Sequence, residues 1–202
     1  NLLIENDSGR AEVLLKGSAV ENLSLILRNG DIIKELRDEV DAYEYDLTII
    51  GGSAKRSMSH DMIQYINSSI FVVNNFNKTI NYKILLAVDD SPGTKKAVKY
   101  GVRVAQAFGI KVQIITVNED ENFNEVNKKS SENASKMMRR CGVEAETKFE
   151  IGKPVEKIIE IAGEDHIIIM GASTQSPIAK FFVGSKPLNV MQNSNCPILI
   201  VK

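Results

Sequence analysis

The sequence predicts an α/β fold: an open five-stranded parallel sheet flanked by helices, written twice, with the first copy incomplete. Three observations predict it. Apolar strands alternate with amphipathic helices from about residue 82 onward, the pattern of right-handed βαβ units. The strands are near-continuous apolar runs such as Ile167 to Met170, which suits burial on both faces. Two distant stretches, "GDIIKELRDEVDAYEYDLTIIGG" at 30–52 and "GKPVEKIIEIAGEDHIIIMGA" at 152–172, share one layout. Each opens on Gly, then runs through a helical pattern, an Asp, an apolar strand and a Gly.

The first copy is assigned to residues 1–80. "NLLIEND" resembles the later strand "IITVNED". "SGRAEVLLKGSAVENLSLILRNG" has the helix, turn, strand and Gly of "SENASKMMRRCGVEAETKFEIG". In the next helix Ile32, Ile33, Leu36 and Val40 fall on one face. "TIIGG" follows as a strand, and "SSIFVVN" closes the copy as "CPILIVK" closes the second. The strand and helix that open the second copy have no counterpart here.

The second copy is assigned to residues 81–202. It opens on strand "YKILLAVD" and helix "SPGTKKAVKYGVRVAQAFG", whose face is Thr94, Ala97, Val98, Gly101, Val104, Ala105 and Phe108. Ser91 suits the N-cap and Pro92 the first helical position. Strand "KVQIITVN" comes next. Residues 119–133, charged and polar, read as a mobile loop. In the helix of 153–162, Val155, Ile158, Ile159 and Ala162 share a face.

Bulk numbers narrow the function. The 202 residues are 43% hydrophobic and 25% charged, ordinary for a globular protein. A net charge of -1 gives no electrostatic reason to expect nucleic acid or an acidic membrane. Residues 82–202 carry 17 Lys/Arg against 14 Asp/Glu, mildly favouring a small anionic ligand. No apolar run nears the roughly 20 residues of a membrane span, and no signal peptide is visible. Cys141 and Cys196 make no metal or disulfide pattern. Two reduced thiols in a cytoplasmic protein are therefore expected. His60 and His166 stand alone and read as structural or solvent-exposed. Packing under its loop is the expectation for Phe181-Phe182.

Open parallel sheets bind ligands beyond the carboxyl ends of their strands, where strand order reverses. That directs attention to Asp89-Asp90-Ser91, Val117-Asn118 and Gly171 to Thr174. Asp89 can accept hydrogen bonds from an exocyclic amine or a ribose hydroxyl; equally, it or Asp90 can cap the helix that follows. Gly171 lets a ligand or another backbone come close. Gly184-Ser185 precedes a helix, whose free N–H groups form a phosphate seat to which Lys186 adds charge. The structural alternative is a relaxed turn at Gly184 and a capping role for Ser185.

With these residues in view, the second copy resembles a universal stress protein domain. The carrying features are "VDDS" at 88–91, "GKPVEKIIEIAGEDHIIIMGA" at 152–172, Gly171 through Gly184-Ser185, and "SNCPILIVK". The family signature is Gly, two residues, Gly, nine residues, then Gly-Ser or Gly-Thr. Gly171, Thr174 and Gly184-Ser185 keep the spacing, with Thr174 in place of the second Gly. The resemblance covers about 120 residues and extends more weakly over 8–74.

It implies a Rossmann-like fold of the adenine nucleotide alpha hydrolase-like kind, and ATP or another adenine nucleotide as ligand, with or without magnesium. Carried over residue by residue, Ala87, Val88, Asp89 and Ser91 would meet the adenosine, and Val117 the base. Met170, Gly171, Ser173, Thr174, Gly184, Ser185 and Lys186 would meet the phosphates. The first copy, lacking the Asp-bearing strand and any Gly-Ser, is expected to hold no nucleotide. Family domains pair through their last strands, so "IFVVN" beside "ILIVK" within one chain is expected, and a homodimer is compatible. The expected function is a non-catalytic, nucleotide-binding regulator of stress response. A pairing scaffold without ligand and a slow ATP hydrolase are the alternatives, the latter disfavoured by the absence of a triad or a Walker-type Lys.

Overall fold

The computed structural model describes residues 2–3, 25–26, 28–51, 56–74, 80–120, 125–172 and 185–202. Strands β1 (Leu2–Leu3) and β2 (Leu25–Ile26) form a small parallel pair. The main sheet has seven strands. In chain order they are β3 (Leu47–Gly51), β4 (Ser69–Val73), β5 (Lys83–Ala87), β6 (Val112–Asn118), β7 (Ala145–Ile151), β8 (His166–Gly171) and β9 (Ile198–Val201). Their order across the sheet is β3-β4-β9-β8-β5-β6-β7.

Five of these strands belong to residues 81–202, and the pairings among these five are all parallel. Strand order departs from β5 in two directions, to β6 and β7 on one side and to β8 and β9 on the other. The switch point lies between β5 and β8. The one antiparallel junction among the described strands joins β4 to β9, with Phe71 opposite Leu199. The two closing strands matched in the sequence are therefore neighbours.

Helices α1 (Ile32–Tyr43), α2 (Arg56–Tyr65), α3 (Pro92–Phe108), α4 (Glu125–Arg140), α5 (Pro154–Ala162) and α6 (Ser185–Asn193) flank the sheet. Asp31 caps α1 by accepting from the Lys34 N–H at 2.9 Å. Ile32, Ile33 and Leu36 pack with buried Val40 against the sheet, and Val155 and Ile159 do so beside buried Ile158 and Ala162. Both amphipathic stripes thus bury as their periodicity requires. Beside the first, the buried Glu39 carboxylate accepts from Arg28 at 2.8 Å and from the Tyr45 hydroxyl at 2.9 Å.

Two expectations need correction. Phe108 shares the azimuth of the α3 face yet is 72% exposed. Seventeen helical residues span about 25 Å, whereas the five residues of β5 span about 17 Å. The last turn of α3 overhangs the sheet. Residues 125–133 are helix rather than loop. Ser131, Ala134 and Met138 recur at spacings of three and four and are buried. The polar residues between them hid that stripe.

Candidate functional site

The first βα crossover builds one side of the site. Val88 extends β5, its N–H donating to the Ile115 carbonyl at 2.9 Å. The Thr116 hydroxyl donates to the Val88 carbonyl at 3.0 Å, locking the end of β5 to β6. The chain then turns. Asp89 Oδ1 accepts from the Ser91 N–H at 3.0 Å and from the Thr94 hydroxyl at 2.7 Å. This is an Asx turn leading into α3. Ser91 holds the N-cap position, but its hydroxyl makes no cap bond; Asp89 accepts from the N-cap residue's own N–H rather than from a helical one. Among the described residues, Asp89 Oδ2 takes no hydrogen bond. One oxygen of the carboxylate is thus engaged within the turn.

Gly171 ends β8 beneath α3. A Cβ on it would lie 2.4 Å from the Gly93 carbonyl carbon and 2.7 Å from its oxygen. A Cβ on Gly93 would in turn lie 2.8 Å from the Ala172 oxygen. The two glycines let a helix start directly on a strand end. Of the two reasons considered for Gly171, the approach of another backbone is the one observed. Gly93 was not recognised in the sequence, where "SPGT" looks like ordinary helix-start chemistry.

These elements enclose a cleft of about 600 Å³ beyond the switch point, within the usual range of ligand sites. Ala87, Val88, Asp89 and Ser91 line it from β5 and the turn, Val117 from β6, Met170 and Gly171 from β8, and Ser185 and Lys186 from α6. Nine of the predicted site residues therefore converge. Ser173, Thr174 and Gly184 lie outside the described residues. Ile115, Ile158 and Pro154 add apolar wall, Asp90 a second carboxylate, and buried Pro187 closes the floor by α6. Residues 173–184 separate β8 from α6, whose first N–H groups lack helical acceptors and face an anion favourably.

Asn127 also lines the cleft. It stands in the first turn of α4, inside the stretch read as loop, and donates to Asn118 Oδ1 at 3.1 Å. The α4 period would have revealed it. Asn118 Nδ2, Asn127 Oδ1 and Ser131 Oγ are buried without hydrogen-bond partners among the described residues.

Of the remaining candidates, His166 is structural. Buried His166 sits with Nδ1 at 3.0 Å from the Ala162 carbonyl and 2.8 Å from Asp165 Oδ1. The His60 side chain and Phe181-Phe182 lie outside the described residues. Cys141 and Cys196 are free, and burial pushes the Cys196 thiol up. Among the described residues no His/Cys/Asp/Glu group could hold a metal ion, and no helix is long and apolar enough to cross a membrane.

Comparison with known proteins agrees with this geometry. The model of the universal stress protein family matches residues 81–202. Universal stress protein YxiE of Bacillus subtilis is 30% identical over 145 residues, covering 59% of this chain and 98% of its own. A universal stress protein of Methanocaldococcus jannaschii is 25% identical over 138 residues, covering 59% and 81%. Among solved structures, a universal stress protein from Archaeoglobus fulgidus has a similar fold over 91% of this chain and 68% of its own, at TM-score 0.65 and 19% identity. A universal stress protein in complex with cAMP matches 61% of this chain and 98% of its own, at TM-score 0.51 and 25% identity. The chain belongs to the universal stress protein family.

Proposed function

We propose that this chain is a cytoplasmic, non-catalytic regulator in stress response that binds an adenine nucleotide in the cleft beside Asp89. One observation carries the reading: a free carboxylate oxygen on β5's turn and the N-terminus of α6 line the same ligand-sized cleft at the switch point. The base would lie against Ile115, Val117 and Ile158, and Asp89 Oδ2 would accept from the sugar or the exocyclic amine. Phosphate would meet the α6 N–H groups, the Ser185 hydroxyl and Lys186. Asp90 is the carboxylate available to a companion magnesium. The relative solved with cAMP supports an adenine ligand.

On the same reading, residues 1–80 are an incomplete first copy that pairs with the second through β4 and β9, and a homodimer remains compatible. Among the described residues no catalytic triad and no lysine placed like that of a P-loop accompany the cleft, which favours binding over turnover.

Calorimetry with AMP, ADP, ATP and cAMP, with and without magnesium, tests the reading. At least one should bind, and Ser185→Asp should weaken it tenfold or more by setting a carboxylate against phosphate. No heat with any of them, on protein verified free of nucleotide, would leave the scaffold reading. Turnover that scales with protein and vanishes in Asp90→Asn would make it an ATP hydrolase.

A further inference from the structure

The wall of the cleft that would meet a base is apolar except at one side chain. Ile115, Val117, Pro154 and Ile158 form it, and Asn127 is the polar residue beside them. The other polar lining residues stand elsewhere: Asp89, Asp90 and Ser91 on the turn after β5, Ser185 and Lys186 at the start of α6. Apolar surface holds any flat ring by burial. Hydrogen bonds to the ring edge are what tell one base from another.

Asn127 is held by little. Its Nδ2 donates to Asn118 Oδ1 at 3.1 Å, the one hydrogen bond of this side chain among the described residues. Asn118 ends β6 directly after Val117 and is 6% exposed. Ser131 is fully buried and lies one turn on from Asn127 along the same face of α4. Asn118 Nδ2, Asn127 Oδ1 and the Ser131 hydroxyl find no partner among the described residues. Exchanging oxygen and nitrogen in both amides reverses the bond and again leaves one donor and one acceptor unmet. Native interiors rarely leave buried polar atoms in this condition, and a half-satisfied network is worse than an apolar contact. The unmet atoms are out of reach of solvent, so water at the surface does not relieve them. Turning the Asn127 side chain toward the cleft breaks a single neutral hydrogen bond. It frees a whole amide edge, donor beside acceptor. That edge matches an exocyclic amine next to a ring nitrogen, the pairing by which asparagine reads adenine in nucleic acids.

We propose that Asn127 is the specificity-determining residue of the cleft, its amide turning from Asn118 to read the exocyclic amine and adjacent ring nitrogen of a purine. Asn118 is a positioning residue that holds the amide until then, and Asp89 Oδ2 is left to the sugar. This rests on the nucleotide reading of the cleft and adds to it the group that separates an aminopurine from other flat bases.

Calorimetry with AMP and with purine riboside 5′-monophosphate, which lacks the amine, tests it. The unaltered chain should bind AMP about tenfold more tightly or better, because a site built to pair a polar group rejects the analogue without it. Asn127→Leu should bring the two within about threefold of each other, mainly by weakening AMP. That variant leaves Asn118 without its donor, so the double variant Asn118→Leu/Asn127→Leu accompanies it. With both amides replaced, its urea midpoint should be no lower than that of the unaltered protein, and its preference for AMP equally lost. In NMR spectra the Asn127 side-chain amide signals should move with AMP and stay in place with the purine ribotide. Equal binding of the two nucleotides by the unaltered chain, a preference for AMP that survives in both variants, or Asn127 signals that AMP leaves unmoved would each overturn this proposal and leave the nucleotide reading standing. Absence of binding by either nucleotide would overturn both.

Discussion

Two strands of this molecule carry nearly the same message and meet different fates. β3 and β8 each follow an amphipathic helix, end in glycine, and pair in parallel with a closing strand. Ile49 and Ile169 hold equivalent register positions, yet the first is 64% exposed and the second fully buried. Strand sequence does not account for the difference. β8 is flanked by β5 and roofed by α3, whereas β3 is the outermost of the described strands on its side of the sheet. The cleft beside Asp89 follows the same division, since β5, its turn and α3 supply one wall of it. An apolar strand ending in glycine is therefore not a site by itself. It becomes one when a second strand end, with its crossover, is laid against it.

The largest effect that would break this comparison is steric. Gly171→Val should destabilise the fold by more than about 3 kcal/mol, because its side chain meets the α3 backbone rather than a flexible neighbour. Gly51→Val, on an exposed strand end, should cost less than about 1 kcal/mol. Urea unfolding of both variants measures the contrast directly. Similar losses would mean that the two glycines serve one local backbone need, unrelated to α3.

A smaller effect separates the two isoleucines. Ile169→Ala opens a cavity between the sheet and α3 and should cost about 2–4 kcal/mol. Ile49→Ala removes side chain that is already mostly in water and should change stability by less than about 0.5 kcal/mol. Chemical denaturation with an unchanged m-value checks both. A loss above about 2 kcal/mol for Ile49→Ala would show that its face is covered in solution.

The same contrast explains what could be read before the structure was known. Strands such as "HIIIMG" and "KILLA" and the stripes of α1 and α5 were legible, because burial on a sheet imposes a period on the sequence. Asp89 and Ser185 were legible as strand-end and helix-start chemistry. Gly93 was not, because its reason lies in Gly171, 78 positions away, and no local pattern encodes a contact between two backbones. The start of α4 was missed because only Ser131, Ala134 and Met138 of its residues are buried, and a serine does not register as apolar. Asn127 was lost with it. Whether β3 would be covered could not be read from "LTIIG", since that depends on a neighbour rather than on the strand.

The finest distinction between the two halves lies just past their closing strands. Asn74 follows β4 where Lys202 follows β9. The Lys202 ammonium reaches across the β4–β9 junction and donates to the carbonyls of Ile63 and Ile66 at the C-terminal end of α2. Those carbonyls lack helical donors, and the helix dipole favours a cation there. Burial nevertheless holds the Lys202 pKa down, from its ordinary 10.5 to about 8. Between those two values the unfolded chain binds more protons at this position than the folded one, so stability rises with pH across the window and is lost as pH falls through about 8. Relative to Lys202→Met, the unaltered protein should gain about 2 kcal/mol between about pH 8 and about pH 10, read from urea midpoints of the two proteins at matched pH. A difference that stays flat across that range would mean that the ammonium is as well solvated in the fold as out of it, and that the contact with α2 binds the two halves through geometry alone.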